Sequence, residues 1–354
     1  MAIACLLLLP LQTVSAQSSD RYTAAFLDIP LGARALALGG QYSPIDNADG
    51  TAFFWNPAGV AFTKDMTVTT MYSNQFGSLG NPLSAYFHIG YAQSLGKGTS
   101  IAVNWIRNSV TNIPLTDDPR DINGSINITD IFTRIKDGSL GNSGATFSNA
   151  DDAVSVSIAR VIASNFNFGW QYFSVPIELP IGVNFRYIRQ GFSGNDVRVN
   201  FSGSGIGVDV GAMLKFKVGD FVANPNYGDF AFGFAAKDLF NTPIAWNTES
   251  RVKSSIYRSF IISISYQQPV TFIASTLTGL YTRNTKDAGL TSLGLEYRFR
   301  DLIALRVGSY DQAVTLGAGL FLFRAVVIDY AYQYSELGSP HRIGLTLNLT
   351  RLIQ

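Results

Sequence analysis

A chain of 354 residues with 26 Lys plus Arg against 25 Asp plus Glu carries a formal net charge of +1, which excludes the basic surface that nucleic-acid binding requires. Only 14% of its residues are charged, against about 25% in soluble globular proteins, while 13% are aromatic and 33 are glycine. One cysteine and 2 histidines leave no thiolate metal set, and no cofactor is expected.

The chain opens on an apolar run from Ile3 to Leu11, followed by the small-x-small site Val14-Ser15-Ala16. This reads as a secretory signal peptide over 1–16, although it lacks the usual basic n-region. Its removal takes Cys5 away and leaves Gln17 as the first residue of a chain without cysteine. Within the N-terminal segment 17–63, residues 28–62 break the strand rhythm. Gly39-Gly40, Pro44, Asn56-Pro57 and Gly59 interrupt regular pairing, and Ala33 to Leu38 has the composition of a short helix. Such a segment cannot lie in lipid with unsatisfied backbone groups, so it is expected inside a barrel as a hatch. Arg34, a lone cation in an apolar stretch, is expected to pair with a lumen carboxylate such as Glu296 or Asp329. In Trp55-Asn56-Pro57-Ala58-Gly59, Asn56 can bond its own backbone, Pro57 sets φ, and Gly59 is read as a turn residue.

From Lys64 onward the pattern has period two, in stretches of ~9–11 residues, the length of a tilted membrane-spanning strand. Val326, Ile328, Tyr330, Tyr332 and Tyr334 share one parity, while Asp329, Ala331 and Gln333 share the other. About fourteen strands are predicted: 64–74, 83–95, 99–110, 151–162, 178–191, 203–216, 229–239, 255–267, 271–283, 290–299, 302–310, 313–322, 325–334 and 341–351. No run is long enough for a membrane helix, so residues 64–354 are predicted to form a transmembrane antiparallel β-barrel, all-β in class, in the bacterial outer membrane. Outer-membrane lipid is the partner of its apolar face.

The longest connections, 111–150 and 240–254, follow odd-numbered strands and are expected outside the cell. The first carries Asp117, Asp118 and Asp121 without EF-hand-like spacing, so it reads as a solvated loop, with a short helix near Ile131 to Ile135. The second offers Ile244 and Trp246 as apolar contacts for a partner. Inward parities place Gly90, Gly182, Gly207, Gly211, Gly233, Gly294, Gly317, Gly319 and Gly344 in the wall beside Arg186, Asp209, Glu296, Arg298, Arg306, Asp329 and Arg342. His88 has lumen parity and His341 lies at the outer rim, too far apart in pattern to serve one site. No nucleophile stands beside a base, and the chain does not read as an enzyme.

GARALALGG, the acidic stretch Asp46 to Asp49 and WNPAG resemble the N-terminal signature of the PorV/PorQ family of outer-membrane barrels, within the broader FadL-like group of long-chain fatty-acid transporters. NTPIAW (Asn241 to Trp246) and LGSPHRIGL (Leu337 to Leu345) extend the resemblance. It implies a fourteen-stranded barrel with an N-terminal hatch. It also implies an accessory role in type IX secretion, with exported cargo signal domains or a large translocon barrel as partners. The chain departs from the pattern in lacking an adjacent acidic pair and a terminal aromatic. The favoured function is a secretion accessory that binds exported cargo or the translocon at its extracellular mouth; the alternative is a transporter of hydrophobic small molecules gated by the hatch, with Arg34, Gly39, Gly40 and the WNPAG element as its gating residues.

Overall fold

The computed structural model describes residues 23–353, apart from 41–45, 47–48, 79–80, 116–127, 137–145, 168–173, 195–199, 249–252, 287–289, 311–312 and 335–338. The signal peptide, Pro44, Asp117, Asp118, Asp121 and Leu337 lie outside the described residues. Sixteen strands form one sheet. They are β1 (Thr67–Ser78), β2 (Asn81–Gly96), β3 (Thr99–Pro114), β4 (Thr146–Asn167), β5 (Ser174–Gly194), β6 (Phe201–Lys217), β7 (Asp229–Lys237), β8 (Thr242–Trp246), β9 (Lys253–Ile256), β10 (Ser259–Val270), β11 (Ser275–Asn284), β12 (Thr291–Phe299), β13 (Ile303–Tyr310), β14 (Ala313–Leu322), β15 (Val326–Gln333) and β16 (His341–Asn348). All but β8 and β9 form a closed antiparallel barrel of fourteen strands, sealed by the β1–β16 and β5–β6 ladders.

Closure follows from the medium. Hydrocarbon supplies no hydrogen bonds, so each spanning strand must find both neighbours. The faces then sort by parity. Val156, Ile158, Leu293, Leu305, Val307, Ile328 and Ile343 are exposed outward, whereas Arg186, Asp209, Glu296, Arg306, Asp329 and Arg342 on the opposite parity are buried. A band of exposed aliphatic side chains around a closed barrel is a lipid-facing surface, and the protein is an outer-membrane barrel. No described helix is long and apolar enough to cross a membrane.

Three elements differ from the sequence reading. The strands β4 and β5 run well beyond the expected 151–162 and 178–191, because their ends are polar and carry no lipid-face alternation. The last strand stops at Asn348, and Leu349–Ile353 turn into a short helix. The segment 240–254 is not a plain surface loop. After Lys237 the chain breaks at Asp238 and Asn241, with φ of 51° and 54°, and re-pairs with β6 through Gly203↔Trp246 and Ser204↔Ala245. Its outgoing part forms β8, and β9 returns beside it toward β10. The 111–150 connection does carry a helix, Ile128–Lys136.

The described residues of the N-terminal segment pack inside the lumen. A 3₁₀ turn (Ala25–Leu27), α1 (Ala33–Ala37), α2 (Ala52–Trp55) and a 3₁₀ helix (Pro57–Phe62) lead to β1. Leu31, Leu36, Phe53 and Ala58 are sealed there, at 0%, 0%, 2% and 0% exposure. The helix α1 packs on β13 to β16, and the Pro57–Phe62 helix packs on β3 to β6.

The lipid band can be tested by depth. Ile328→Arg is expected to cost ~2–4 kcal/mol in a bilayer refolding assay, and Phe323→Arg, in the turn before β15, ~0–1 kcal/mol. Equal costs would mean that Ile328 does not lie within the lipid band.

Candidate functional site

The hatch is fixed to the wall by a buried ion-pair network. Arg34 donates from Nε to Glu296 Oε2 at 3.0 Å and from Nη2 to Glu296 Oε1 at 3.0 Å, a bidentate pair at 3% and 1% side-chain exposure. Glu296 also accepts from Arg306 Nε at 2.6 Å and Arg298 Nη2 at 3.0 Å, and Arg306 Nη1 donates to Asp329 Oδ1 at 2.6 Å. The remaining face of Arg34 meets Asp46 at 2.6 Å, within the hatch itself. Arg34, Arg298 and Arg306 thus face Glu296, Asp329 and Asp46, so the cluster is balanced. A second hatch carboxylate, Asp49, accepts from the Thr51 hydroxyl at 2.8 Å. Burial pushes its pKa up, against the pull of nearby Arg34.

Wall glycines admit the hatch backbone. A Cβ on Gly308 would stand 2.2 Å from Gly39 N, one on Gly182 2.4 Å from Pro57 O, and one on Gly294 2.5 Å from Leu38 O. Gly39 and Gly40 have φ of 94° and 73°, closed to most other residues, and they end α1 where it meets β12 and β13. Of the glycine-lined volume read from parity, the parts at Gly182 and Gly294 are occupied by hatch main chain and those at Gly211 and Gly317 by the hatch side chains Asn56 and Ala37. Gly90 is different: its space is taken by Asn104 Oδ1, at 2.0 Å from an added Cβ, and not by the hatch.

The WNPAG element joins the hatch to both sheet and core. Trp55 Nε1 donates to Leu31 O at 3.1 Å. Asn56 Oδ1 caps the 3₁₀ helix by accepting from Ala58 N at 3.0 Å, while its Nδ2 donates to Ala212 O and Phe234 O in the wall, at 3.4 and 3.3 Å. Pro57 occupies the first helical position. Gly59 corrects the sequence reading. It lies inside that helix and is absent from the positive-φ glycines, so the strained turns fall at Gly32, Gly39, Gly40 and Gly50 instead.

A second charged cluster sits where β7 breaks. Arg186 meets Asp209 Oδ2 at 3.3 Å and Asp238 Oδ1 at 2.8 Å, and Thr242 Oγ1 donates to Asp238 Oδ1 at 2.7 Å. Burial alone would raise the Asp238 carboxyl, but the Arg186 guanidinium holds it below its usual value. Alternation along 229–239 puts Asp238 on the lipid face, which no carboxylate tolerates, and that conflict was the sequence signal for a break. The fold resolves it by turning the chain inward over Gly205 and Gly207, whose missing side chains leave room for Pro243 O, Asp238 and Thr242. Ile244, expected as a partner contact, is consequently fully buried, and Trp246 is half-buried with Nε1 donating to Ser254 Oγ at 3.1 Å.

Arg342 donates to Pro30 O of the hatch and lies over the Tyr86 ring. His88 stacks on Phe53 with centroids 5.7 Å apart, whereas His341 bonds the Tyr330 hydroxyl at the rim, so the two histidines form no joint site. Between hatch and wall remains a cavity of about 50 Å³, bordered by Leu27, Trp55, Lys237, Ile256 and Tyr310 among others.

No protein-family model matches the chain, and no curated protein matches it. Among solved structures, the toluene transporter TbuX of Ralstonia pickettii shares the fold, with a TM-score of 0.53 and 12% identity over 91% of this chain and 98% of that one. The Pseudomonas putida toluene transporter TodX (TM-score 0.45, 11% identity, 89% and 96% covered) and a Pseudomonas aeruginosa FadL homologue (0.42, 12%, 88% and 96%) are also similar. The architecture is that of the TbuX barrel. The likeness is one of fold.

Removing Glu296 leaves Arg34 paired with Asp46 alone and Arg306 with Asp329 alone, and takes away the bidentate tie between hatch and wall, so Glu296→Ala should destabilise hatch seating by about 3 kcal/mol. Arg34→Ala should cost less, since Glu296 keeps Arg298 and Arg306. Limited proteolysis within 29–63 reads the first effect, and barrel heat-modifiability shows that the wall survives. Wall glycines give an independent check: Gly308→Ala should expose the hatch in the same way, while Gly279→Ala, with nothing within 4 Å of an added Cβ, should leave it protected.

Proposed function

We propose that this barrel transports hydrophobic small molecules across the outer membrane and that its N-terminal hatch is the gate. The observation that carries this reading is the hatch packed inside the lumen. The cavity beside the hatch, about 50 Å³, is far below the roughly 150 Å³ of a cavity that binds benzene, so a solute of that size does not fit there unless the hatch shifts. The hatch is built for a defined seat, with one bidentate ion pair, one capped helix and glycine-cleared backbone contacts. Buried cluster residues of the hatch, Leu27, Phe54 and Trp55, join wall residues Ile244 and Ile256 in one apolar body. That is the surface an apolar solute meets when the hatch shifts. The fold shared with TbuX, described as a toluene transporter, supports the same reading.

The secretion role implied by the PorV/PorQ resemblance calls for an apolar docking surface at the mouth. The two residues assigned to it, Ile244 and Trp246, turn toward the barrel interior, and cargo signal domains and a translocon partner find no support in the fold comparisons.

A reversible lock tests the gate. A Cβ built on Gly344 lies 3.6 Å from Ala33 Cβ, within the range of a disulfide, and the chain after Ala16 has no cysteine of its own. In liposomes, the Ala33→Cys/Gly344→Cys protein should take up toluene when reduced and stop when oxidised, with recovery on reduction. Uptake that persists through complete cross-linking would remove the hatch from the path.

A further inference from the structure

We propose that the periplasmic end of β4 is a docking edge for an extended peptide of a periplasmic protein, which adds to the sheet as a further strand and places an acidic residue beside Lys97 and Arg160. The proposal is independent of the transport reading. Both ends of the barrel chain, Thr67 and Asn348, lie at one end of the barrel, which an even strand count with short turns makes the periplasmic one. There β3 begins at Thr99, opposite Arg160, and Val161 N donates to Gly98 O. Beyond that point β4 continues to Asn167, paired on one side only, with β5 from Pro180 to Ser174. Arg160, exposed on the lipid-facing parity of Val156 and Ile158, marks the membrane border, so residues 162–167, about 20 Å of strand, stand in the periplasm.

The open side is a row of main-chain groups. In an antiparallel ladder each residue directs its N–H and C=O to the same neighbour, and Val161 faces β3. Ala163 and Asn165, on the same parity, therefore turn both groups to the side where β3 has ended, and nothing among the described residues pairs with them there. Every residue from Ile162 to Asn167 is exposed. Native sheets blunt such edges with Lys, Pro, a bulge or a covering element. The run Ile162-Ala163-Ser164-Asn165 has no Lys or Pro, and its register with β5 is unbroken. The other edge of the same hairpin is treated differently: Pro176 of β5 withholds an N–H, and the short helix Val218–Val222 packs beside that strand. One edge is closed and its opposite left open.

Three features select the occupant. Lys97, in the β2–β3 turn, and Arg160 are exposed at the upper end of the open edge and have no ion pair among the described residues, so an acidic residue is matched there. On the outer face Ile162 is 45% exposed and favours an apolar neighbour. On the inner face Ala163 and Asn165 line a cavity of about 490 Å³ together with Glu178, Lys215 and Asp229, so side chains turned that way are polar. An amphipathic strand ending in a carboxylate meets all three. A second copy of this chain does not. Antiparallel pairing of this edge with itself needs a two-fold axis perpendicular to the strand, whereas two barrels in one membrane are related by an axis along its normal. With strands tilted by about 35–45°, those axes do not coincide.

The test uses the full chain in lipid nanodiscs and the synthetic peptide acetyl-Gly-Thr-Val-Thr-Val-Thr-Glu, whose glutamate reaches Lys97 and Arg160 when it runs antiparallel to β4. Fluorescence anisotropy of a labelled form gives its affinity, and hydrogen exchange reports the amides of 162–167, which should become protected when it binds. Ala163→Pro/Asn165→Pro removes two donors from the open edge and none from the β5 ladder, so affinity should fall about tenfold. Should that protein fail to fold, Lys97→Glu/Arg160→Glu leaves the edge main chain in place and is expected to reverse the preference between this peptide and one ending in Lys. Failure of the wild type to bind, equal binding of the fully N-methylated peptide, or an affinity unmoved by both pairs of substitutions would overturn the proposal. Protection of the same amides without peptide would do so too. Protection that grows with protein concentration makes a second copy the occupant, and protection on adding phosphatidylglycerol to the nanodiscs makes it a lipid headgroup.

Discussion

Peptide groups in hydrocarbon have no solvent to bond, and this constraint organises the whole molecule. It forces fourteen strands to close, and closure creates an interior that must in turn be filled or wetted. The inner wall is made of two residue kinds with different tasks. Glycines at 182, 294 and 308 let hatch backbone approach wall backbone, and charged side chains reach from opposite strands to bind it. A barrel of this size with large inward side chains would need no plug, and one with small polar side chains would be an open pore. This chain has neither lining, and the hatch completes it.

The way the hatch is held sets how firmly it is seated. Ion pairs inside a low-dielectric lumen are strong while both partners stay in place, yet removing charges from water offsets much of that gain. The net attachment is therefore far smaller than the number of contacts suggests. The network at Arg34 and Glu296 grips one side of the hatch, and Asn56 joins the other side to the β6–β7 ladder. The inward break after β7 brings Asp238 beside Arg186, next to the same cavity that borders Trp55. Hatch and wall break thus adjoin one another at that cavity.

Much of this was legible in the linear chain because a lipid-facing barrel imposes alternation on every spanning strand. Ile328 against Asp329, and Ile343 against Arg342, already sort into outside and inside, and Arg34 in an apolar hatch demands a lumen carboxylate. The elements that escaped are those where the membrane is not the selecting medium. The upper ends of β4 and β5 are polar, so alternation stops before the strands do. Residues 240–254 look like a loop by polarity, but β6 offers them a free edge and a glycine face.

The sequence by itself determined the barrel class, the strand parities and the presence of a segment unfit for lipid, since each follows from the local match between side chain and medium. Tertiary structure alone decided that the glycine-lined volume is occupied, that Gly59 sits in a helix while Gly39 and Gly40 bear the strain, and that Trp246 turns toward the barrel interior. These depend on which backbone approaches which across the lumen, between residues as far apart as Arg34 and Glu296 or Asn56 and Phe234. Alternation along a strand carries no information about such distances.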